Sequence, residues 1–454
     1  MVVVRLEMAG LPARLRECRC VEDMMSEPSR RLLRTVEIDN FRCIRHAVVE
    51  LSPFTVLIGS NDSGKTAFLK TIEALARLAA GQPLIEAFPS LAGTHIAADA
   101  LRSPTPAPEM RFATVTEGEW GTSRHELSIA SGSATDSVWI RREAIGPGGG
   151  SLSLAAPGVL AAVEVSGAEA SGPIESARFI DGKQLDVAGG KQRLTISQWG
   201  PPDHPSRRAL AALREVVTDP AGAGRFAPLV LRLSPDAVIR PSDPTALPAR
   251  IGQDGNGLAG VVARIKQGPS EVFRRLLDDF RELTHGAVTD ILPLPAPGER
   301  FHTLRLRFRN GAEVPAEHVS TGVLYLLAVL TLVHGPSRPW LLFVEEPENS
   351  VHVGRLRDIV TLLRRLGETT EGRTACQVVI TTHSPYLLDA CKPAEVRVFR
   401  RPSPEDWTLI DVPPQDEDKR WWGMSLGELW GFSGEDALLA GPRSPRGVER
   451  EIVT

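Results

Sequence analysis

The apolar positions of this chain change their spacing from one segment to the next, and the spacing predicts the order of strands and helices. Apolar and polar residues alternate over 34–39 and 46–51, which is typical of half-buried strands. A continuous apolar run over 54–58 indicates a buried strand, and apolar residues at helical spacing over 67–78 predict a helix. The N-terminal part is therefore predicted to contain three strands followed by a helix.

Regular patterns return after residue 229. The sequence predicts an amphipathic helix over 271–283, a strand over 303–308 and an apolar helix over 323–333. Two buried strands are predicted over 340–346 and 375–382, and both end in polar residues. The residues at these two strand ends are candidates for chemistry.

The segment between these two regular parts has a different composition. From about residue 81 to residue 228, Gly, Ala, Ser and Pro are dense, and 146–150 is the clearest break. Short strand-like pieces occur at 138–140 and 177–180, and one helix is predicted over 207–217. We expect an inserted, loop-rich lobe rather than a continuation of the sheet that contains the strand 54–58.

The loop between the predicted strand at 54–58 and its helix carries the pattern G-x-x-x-x-G-K-[ST]. Glycines let successive backbone N–H groups wrap a polyphosphate, and the helix N-terminus adds partial positive charge. Lys65 is expected to reach the β- and γ-phosphates, and Thr66 is expected to bind Mg²⁺. The residues predicted to bind the nucleotide are Gly59, Ser60, Asn61, Asp62, Ser63, Gly64, Lys65 and Thr66.

Two carboxylates, Glu345 and Glu346, stand at the end of the predicted strand 340–346. A strand of this kind delivers an acid to the edge of a parallel sheet, where nucleotide phosphates bind. One carboxylate can then hold Mg²⁺ while its neighbour polarises the attacking water. We therefore assign Glu345 to the metal and Glu346 to the water.

Two further positions extend the candidate site. His383 follows the strand 375–382, where an imidazole could sense or stabilise charge that develops near a γ-phosphate. Ser320 and Gly322 stand at the start of the apolar helix, as an N-cap serine and a glycine. Exposed N–H groups and a hydroxyl at a helix N-terminus can also bind an anion. If that anion is ATP on a second subunit, ATP would hold a dimer together.

Composition narrows the class of protein. The chain has 454 residues, of which 42% are hydrophobic and 24% charged, as in an ordinary globular protein. The net charge of −4 argues against a surface that coats nucleic acid, although it does not exclude a local basic groove. The longest apolar run, 323–333, is too short to span a membrane. Five scattered cysteines lack the spacing of a zinc site and suggest a reducing cytoplasm.

In their order along the chain, the motifs resemble those of ABC-type ATPases of the RecF/SMC/OLD branch, and most of all its bacterial AAA-family ATPases. The resemblance covers residues 33–85 and 229–400 and implies an α/β P-loop NTPase fold with a mixed sheet and helices on its faces. The motifs that carry it are Asn40-Phe41-Arg42, the loop 59–66, Ser320-Thr321-Gly322, the acidic segment 345–349 and Thr382-His383-Ser384-Pro385.

The resemblance also implies cofactors and residue roles. ATP and Mg²⁺ are the expected cofactors, and His383 is the expected switch histidine. Ser320 and Gly322 would contact the ATP of a partner subunit, and Arg42 would approach the base or the phosphates. We expect an ATP-dependent homodimer that drives a partner in DNA repair or phage defence, with non-specific DNA as a further candidate ligand.

The chain departs from the family pattern at three places. Thr321 stands where transporter ATPases have glycine, and Val353 stands where a proline commonly follows the histidine at His352. The glutamine that usually helps to position metal and water has two candidates, Gln82 and Gln184, and nothing in the sequence separates them.

Five segments are predicted. They are a leader without regular structure over 1–32, the first part of the ATPase domain over 33–84, the inserted lobe over 85–228, the second part of the ATPase domain over 229–400 and a C-terminal tail over 401–454. The leader could be an over-extended start. Only about 65 residues follow Leu388, too few for the Toprim nuclease of OLD-type relatives, so any nuclease is expected to be a separate chain.

Two alternatives to a hydrolysing ATPase remain open. One is a switch in which ATP holds a dimer without turnover, and the pair Glu345 and Glu346 argues against it. The other is the ATP-binding subunit of a transporter, which the roughly 250 residues between the 59–66 loop and Ser320 disfavour. The tail contains Trp421, Trp422 and Trp430, which could pack on the core or anchor a partner.

Overall fold

The computed structural model describes twelve stretches of the chain, and all structural statements below concern these stretches. They are residues 31–88, 109–119, 121–131, 138–147, 161–165, 174–179, 230–243, 247–295, 301–369, 375–403, 406–414 and 424–440. The predicted helix at 207–217, the leader up to residue 30, Gln184, Trp421 and Trp422 lie outside them.

The described residues form sixteen strands and nine α-helices. The strands are β1 (Leu32–Phe41), β2 (Ile44–Glu50), β3 (Phe54–Ile58), β4 (Met110–Gly118), β5 (Gly121–Ser131), β6 (Val138–Pro147), β7 (Ala161–Val165), β8 (Ile174–Phe179), β9 (Val230–Leu231), β10 (Val288–Pro295), β11 (His302–Phe308), β12 (Glu313–Pro315), β13 (Leu341–Glu345), β14 (Gln377–Thr382), β15 (Val396–Arg400) and β16 (Leu409–Asp411). The helices are α1 (Lys65–Ala79), α2 (Leu84–Ala87), α3 (Pro235–Val238), α4 (Leu258–Gln267), α5 (Ser270–Leu283), α6 (Thr321–His334), α7 (Leu356–Leu366), α8 (Pro385–Leu388) and α9 (Leu426–Ala440).

The central sheet has six strands in the order β16-β15-β3-β14-β13-β9. Five of these strands are parallel, and the edge strand β16 runs antiparallel to β15. The register places Glu345 opposite Thr381 and Thr382 opposite Ile58. Because the carboxyl ends of parallel strands meet at one edge, the residues that follow β3, β13 and β14 lie close together.

Side chains of the central sheet alternate between two apolar layers. Val56 and Ile58 belong to the layer that contains α4, α5, α6 and α7, whereas Leu57 between them belongs to the layer that contains α1. This alternation follows from the two-residue period of a strand. Both faces of the sheet are therefore covered by helices, and β3 is buried throughout, as its sequence pattern predicts. The mixed sheet with helices on both faces is the predicted P-loop NTPase fold.

A second, antiparallel sheet runs in the order β2-β1-β4-β5-β6-β7-β8. It joins the N-terminal hairpin β1–β2 to the strands of the lobe, so the predicted segments 33–84 and 85–228 share one sheet. Helix α1 lies between this sheet and the central sheet, because Phe68 and Ile72 belong to the same apolar cluster as Ile38 of β1. The described part of the lobe is thus a β-meander. The sequence predicted only short strand-like pieces in a loop-rich segment.

The main predicted elements outside the lobe are present. Strand β3 and helix α5 match the predicted 54–58 and 271–283 closely, and β11, α6, β13 and β14 lie within two residues of their predicted bounds. Leu276, Leu277 and Phe280 are the buried face of α5, as its spacing predicts. Among the described helices, none is both long enough and apolar enough to cross a bilayer.

Candidate functional site

The 59–66 loop connects the buried end of β3 to the first turn of α1. Gly64 precedes the helix with φ 103°, and Asp62 also has a positive φ of 64°. A Cβ at Gly64 would lie 2.7 Å from Thr408 Oγ1, so a larger residue is excluded by conformation and by space. The first glycine of the pattern is equally confined, because a Cβ at Gly59 would lie 2.0 Å from the carbonyl oxygen of Phe399.

Lys65 is folded back into this loop. Its ammonium donates to the carbonyl oxygens of Gly59 at 2.7 Å and Ser60 at 2.9 Å, and to Ser63 Oγ at 3.3 Å. The residue is only 5% exposed. Burial lowers the pKa of Lys65 to about 8, although Glu346, Glu435 and other nearby carboxylates oppose that shift. The described hydrogen bonds thus give this cation uncharged acceptors.

Glu345 lies between a hydroxyl and a guanidinium. Thr66 Oγ1 is 3.5 Å from Glu345 Oε1, and Arg232 Nε donates to Glu345 Oε2 at 3.0 Å. The register of β13 explains why Glu345 reaches the loop, but Arg232 was not predicted as a site residue. The strand that directly precedes it, β9, is two residues long and too short to give a pattern in the sequence.

Glu346 is held in a strained backbone conformation with φ 44° and ψ 59°. Its backbone N–H donates to the carbonyl oxygen of Thr381 at 2.9 Å. One carboxylate oxygen lies 3.2 Å from His383 Nε2, and the other accepts from Asn349 Nδ2 at 2.7 Å. The two residues predicted for water activation and charge sensing are therefore in direct contact.

Glu348 joins the acidic segment to the segment that carries His383. Its Oε1 accepts from Thr382 Oγ1 at 2.8 Å and from the backbone N–H of His383 at 2.6 Å. These two bonds fix the position of the backbone on which His383 stands. This role of Glu348 was not predicted from the sequence, because it depends on the proximity of the ends of β13 and β14.

The C-terminal helix α9 contacts both parts of the site. Trp430 Nε1 donates to the carbonyl oxygen of His383 at 3.2 Å, and Glu435 Oε1 accepts from the backbone N–H of Ser60 at 2.8 Å. Trp430 is also packed against the core. The tail was predicted either to pack on the core or to anchor a partner, and the contacts of Trp430 correspond to packing on the core.

A cavity of about 310 Å³ opens beside the 59–66 loop. It brings together most of the residues predicted for nucleotide binding and catalysis. The predicted residues in its wall are Arg42, Asn61, Asp62, Ser63, Gly64, Lys65, Thr66, Glu346 and His383. These residues come from four separate parts of the chain, three at the carboxyl edge of the central sheet and one, Arg42, in the turn between β1 and β2.

Arg42 borders this cavity from the turn between β1 and β2, with a positive φ of 54°. Its Nε is buried and has no hydrogen-bond partner in the described structure. A buried guanidinium N–H without an acceptor is costly, and an anionic ligand in the cavity would supply one. This orphaned donor is independent of the 59–66 pattern and points to the same kind of ligand.

The loop between β15 and β16 forms the remaining wall with Arg401, Asp406 and Trp407. These three residues were not predicted for the site, because they lie in the segment predicted as a tail. Thr408 N–H donates to the carbonyl oxygen of Cys43 at 2.9 Å and ties this loop to the turn that carries Arg42. An aromatic ring at the mouth of a charged cavity could stack on a nucleotide base.

Gly59, Ser60 and Glu345 are not in the cavity wall but contact Lys65 or Thr66, which are. The other three residues considered for the site lie apart from the cavity. Ser320 is exposed at the start of α6, and neither it nor Gly322 is part of the cavity wall. Gly322 lies near Val351, just after the acidic segment. Gln82 follows the far end of the 15-residue helix α1, roughly 22 Å from the loop, too far to position a metal there.

Comparisons with known proteins agree with the predicted class. A family model described as "AAA ATPase domain" matches residues 32–102, and one described as "AAA domain, putative AbiEii toxin, Type IV TA system" matches residues 236–389. The two matches lie on either side of the meander. These two parts of the chain are therefore similar to AAA ATPase domains, in agreement with the resemblance that the motifs carry. No curated protein matches the chain.

Solved structures with a similar fold include heads of SMC proteins. The SMC head domain from Thermotoga maritima has 10% identity and a TM-score of 0.40, with 84% of this chain and 99% of that chain covered. An Smc head bound to the C-terminal winged-helix domain of ScpA has 11% identity and a TM-score of 0.45, with 84% and 98% covered. An Smc head with an extended coiled coil, bound to the C-terminal domain of ScpA from Pyrococcus furiosus, has 10% identity and a TM-score of 0.38, with 84% and 96% covered.

Proposed function

We propose that this protein binds and hydrolyses ATP with Mg²⁺ at the cavity beside the 59–66 loop. The observation that carries the proposal is the convergence on one cavity of Lys65, Glu346 and His383. Lys65 starts the helix after β3 and its loop, Glu346 directly follows β13, and His383 directly follows β14. A buried ammonium, a carboxylate base and an imidazole at one point are the groups that phosphoryl transfer to water requires.

The donor atoms beside the loop fit Mg²⁺. The Thr66 hydroxyl and the Glu345 carboxylate are oxygen ligands 3.5 Å apart, and Mg²⁺ commonly takes one or two such protein ligands together with substrate phosphates. Within the described residues, no cluster of three or more His, Cys, Asp or Glu side chains could hold a metal alone. When bound, Mg²⁺ would neutralise charge on the β- and γ-phosphates.

Glu346 is the proposed general base. Its carboxylate would accept a proton from the water that attacks the γ-phosphorus, and ADP and inorganic phosphate would be the products. His383 and Asn349 hold its two oxygens, so the carboxylate is oriented before the substrate binds. Lys65 would turn from the loop carbonyls to the phosphates, because a polyphosphate is a stronger acceptor for an ammonium. These contacts favour hydrolysis over a switch that binds ATP without turnover.

ATP-dependent dimerisation is the second part of the proposal. Ser320 is exposed and lies outside the cavity wall of its own subunit, which leaves it available to an ATP molecule on a second copy. Exposed N–H groups at the start of α6 would supply donors to that phosphate. The dimer would drive a partner in the cytoplasm, either in DNA repair or in phage defence, and the toxin–antitoxin wording of one matched family favours defence.

Steady-state phosphate release tests hydrolysis. Wild-type protein should turn over ATP in Mg²⁺ and stop in EDTA, and Glu346→Gln should lose about 100-fold or more of kcat while it still binds ATP. Equal turnover by both proteins would remove Glu346 from the mechanism. Absence of turnover in the wild type, with and without duplex DNA, would favour the binding-only alternative.

Light scattering tests the dimer. Glu346→Gln should double its mass when Mg²⁺ and ATP are added, because the uncleaved nucleotide accumulates between the subunits. Replacing Ser320 with arginine in the same background should prevent the change, since the longer side chain would obstruct the partner's nucleotide. A monomer at saturating ATP would contradict this part of the proposal.

A further inference from the structure

Arg232 reaches the proposed metal site from the edge of the central sheet. The strand that precedes it, β9, is parallel to β13, with Leu231 opposite Val344. Arg232 directly follows β9, and Glu345 is the last residue of β13, so the pairing of the two strands places Arg232 beside Glu345. The position of Arg232 therefore follows from the register of the sheet.

The backbone around Arg232 is held in place by a neighbouring segment. Its N–H donates to the carbonyl oxygen of Gln253 at 2.8 Å, and the N–H of Ser234 donates to the carbonyl oxygen of Asp254 at 2.9 Å. These two bonds fix the direction in which the side chain leaves the sheet. The guanidinium is thus directed to Glu345 by a fixed backbone.

The two oxygens of Glu345 have different partners. Arg232 contacts Oε2 twice, from Nε at 3.0 Å and from Nη2 at 2.5 Å. Thr66 contacts Oε1 at 3.5 Å. The Glu345 side chain is 9% exposed, and that of Arg232 is 62% exposed, so the guanidinium covers the carboxylate from the solvent side. A two-point contact with a planar guanidinium restricts rotation of the carboxylate.

We infer that Arg232 is a positioning residue that holds Glu345 Oε1 toward Thr66 and so lowers the Mg²⁺ concentration at which the nucleotide site fills. The inference rests on the proposed Mg²⁺-dependent ATP site. Partners that orient a metal-binding carboxylate commonly change metal affinity by about 10–100-fold when they are removed. Arg232 contacts the oxygen that faces away from Thr66, which leaves Oε1 available to the metal.

A second effect of Arg232 would have the opposite sign. A cation near a Mg²⁺ site repels the metal, so removal of a purely competing arginine would lower the Mg²⁺ requirement. Removal of a positioning arginine raises it. The sign of the change in Mg²⁺ requirement therefore separates the two roles.

The experiment is equilibrium binding of a fluorescent ATP analogue as a function of Mg²⁺ concentration. Arg232→Ala should raise the half-saturating Mg²⁺ concentration about tenfold and leave the affinity in EDTA unchanged. Arg232→Lys should have a half-saturating Mg²⁺ concentration between those of wild type and Arg232→Ala, because lysine keeps the charge but not the planar guanidinium. Arg240→Ala is the matched control, since Arg240 is 61% exposed and pairs with Asp254 away from the site.

Three results would overturn the inference. They are an unchanged Mg²⁺ requirement in Arg232→Ala, a lowered one, or an equal loss of affinity with and without Mg²⁺, which would indicate a merely structural role. Thermal unfolding of each variant verifies that it is folded before the titration. A wild-type protein that shows no Mg²⁺-dependent saturation would instead contradict the proposed function.

Discussion

Two buried cations, Lys65 at the start of α1 and Arg124 on β5, have opposite surroundings. In the antiparallel sheet, Arg124 pairs through both terminal nitrogens with Glu37, at 2.7 and 2.6 Å, and through Nε with Glu126 at 2.7 Å. At the start of α1, beside the central sheet, Lys65 has two carbonyl oxygens and a hydroxyl as its acceptors. Both residues are less than 10% exposed.

The pKa values of the two cations are shifted in opposite directions. The hydrogen bond to Glu37 is the main reason that the pKa of Arg124 is raised, and Arg124 in turn lowers the pKa of Glu37. Burial lowers the pKa of Lys65 to about 8. A buried cation with two carboxylates is a completed ion-pair network, whereas a buried cation with neutral acceptors beside a cavity is suited to an anion that arrives later.

The largest expected effect is on nucleotide binding. Lys65→Met removes the ammonium that would meet the β- and γ-phosphates, and we expect ATP affinity to fall by about 100-fold or more, which corresponds to roughly 3 kcal/mol. Titration with a fluorescent ATP analogue measures it. Arg124→Met should bind ATP as wild type does, and a similar loss in both variants would remove the distinction between the two cations.

The next effect is on stability. Arg124→Met leaves Glu37 and Glu126 without their shared partner, and we expect the free energy of unfolding to fall by about 2 kcal/mol. Urea denaturation followed by circular dichroism measures this change. Arg111→Met is the matched control on the same sheet, because its side chain is 65% exposed and its pairing with Glu109 is long, at 3.4 Å. Equal losses in the two variants would contradict a special role for Arg124.

A pH titration sharpens the account of Lys65. Its pKa of about 8 means that the charged form, which binds phosphate, is lost as pH rises through 8. ATP affinity should therefore fall between about pH 7.5 and 9, by up to about tenfold per pH unit above the pKa. Lys65→Met should bind ATP weakly at every pH, without this fall. A wild-type ATP affinity that is constant from pH 7 to 9 would contradict the low pKa.

The lowered pKa of Lys65 also affects the stability of the folded protein, and this effect changes with pH in the opposite direction to ATP affinity. Between pH 8 and the ordinary lysine value of 10.5, the unfolded chain binds more protons at this residue than the folded protein does. The contribution of Lys65 to the stability of the nucleotide-free protein should therefore increase with pH in that window.

The smallest expected effect concerns Glu435 of α9. Its carboxylate accepts from the Ser60 N–H and adds negative charge beside the loop that would bind phosphate. Glu435→Gln should tighten ATP binding about threefold, in line with the small free energies of partly exposed charges. Asp436→Asn, which changes an exposed neighbour on the same helix, should have no effect. Weaker binding in Glu435→Gln would mean that the carboxylate supports the loop instead.

Much of the central sheet could be predicted from the sequence because its strands are continuous apolar runs. Strand β3, helix α1 and the strand end at Glu345 and Glu346 follow from local patterns, and the parallel arrangement then brings their ends together. Local signals of this kind do not depend on distant parts of the chain.

The parts that were missed depend on distant partners. Arg232 acquires its position from a two-residue strand, and Glu435 meets Ser60 across 375 positions of sequence. The meander was underestimated for another reason, since β4 and β5 carry charged residues such as Arg124 on one face, and these interrupt an apolar pattern. The partners of Arg124 become visible only when the strand pairing is known.

Thermal unfolding with and without Mg²⁺ and ATP tests the central claim most directly, because one curve reports both stability and binding. In the absence of nucleotide, the midpoint of Lys65→Met should equal or exceed that of wild type, and that of Arg124→Met should be lower. ATP should raise the midpoint of wild type and of Arg124→Met but not that of Lys65→Met. If ATP raises the midpoint of Lys65→Met as much as that of wild type, the cavity beside Lys65 is not the nucleotide site.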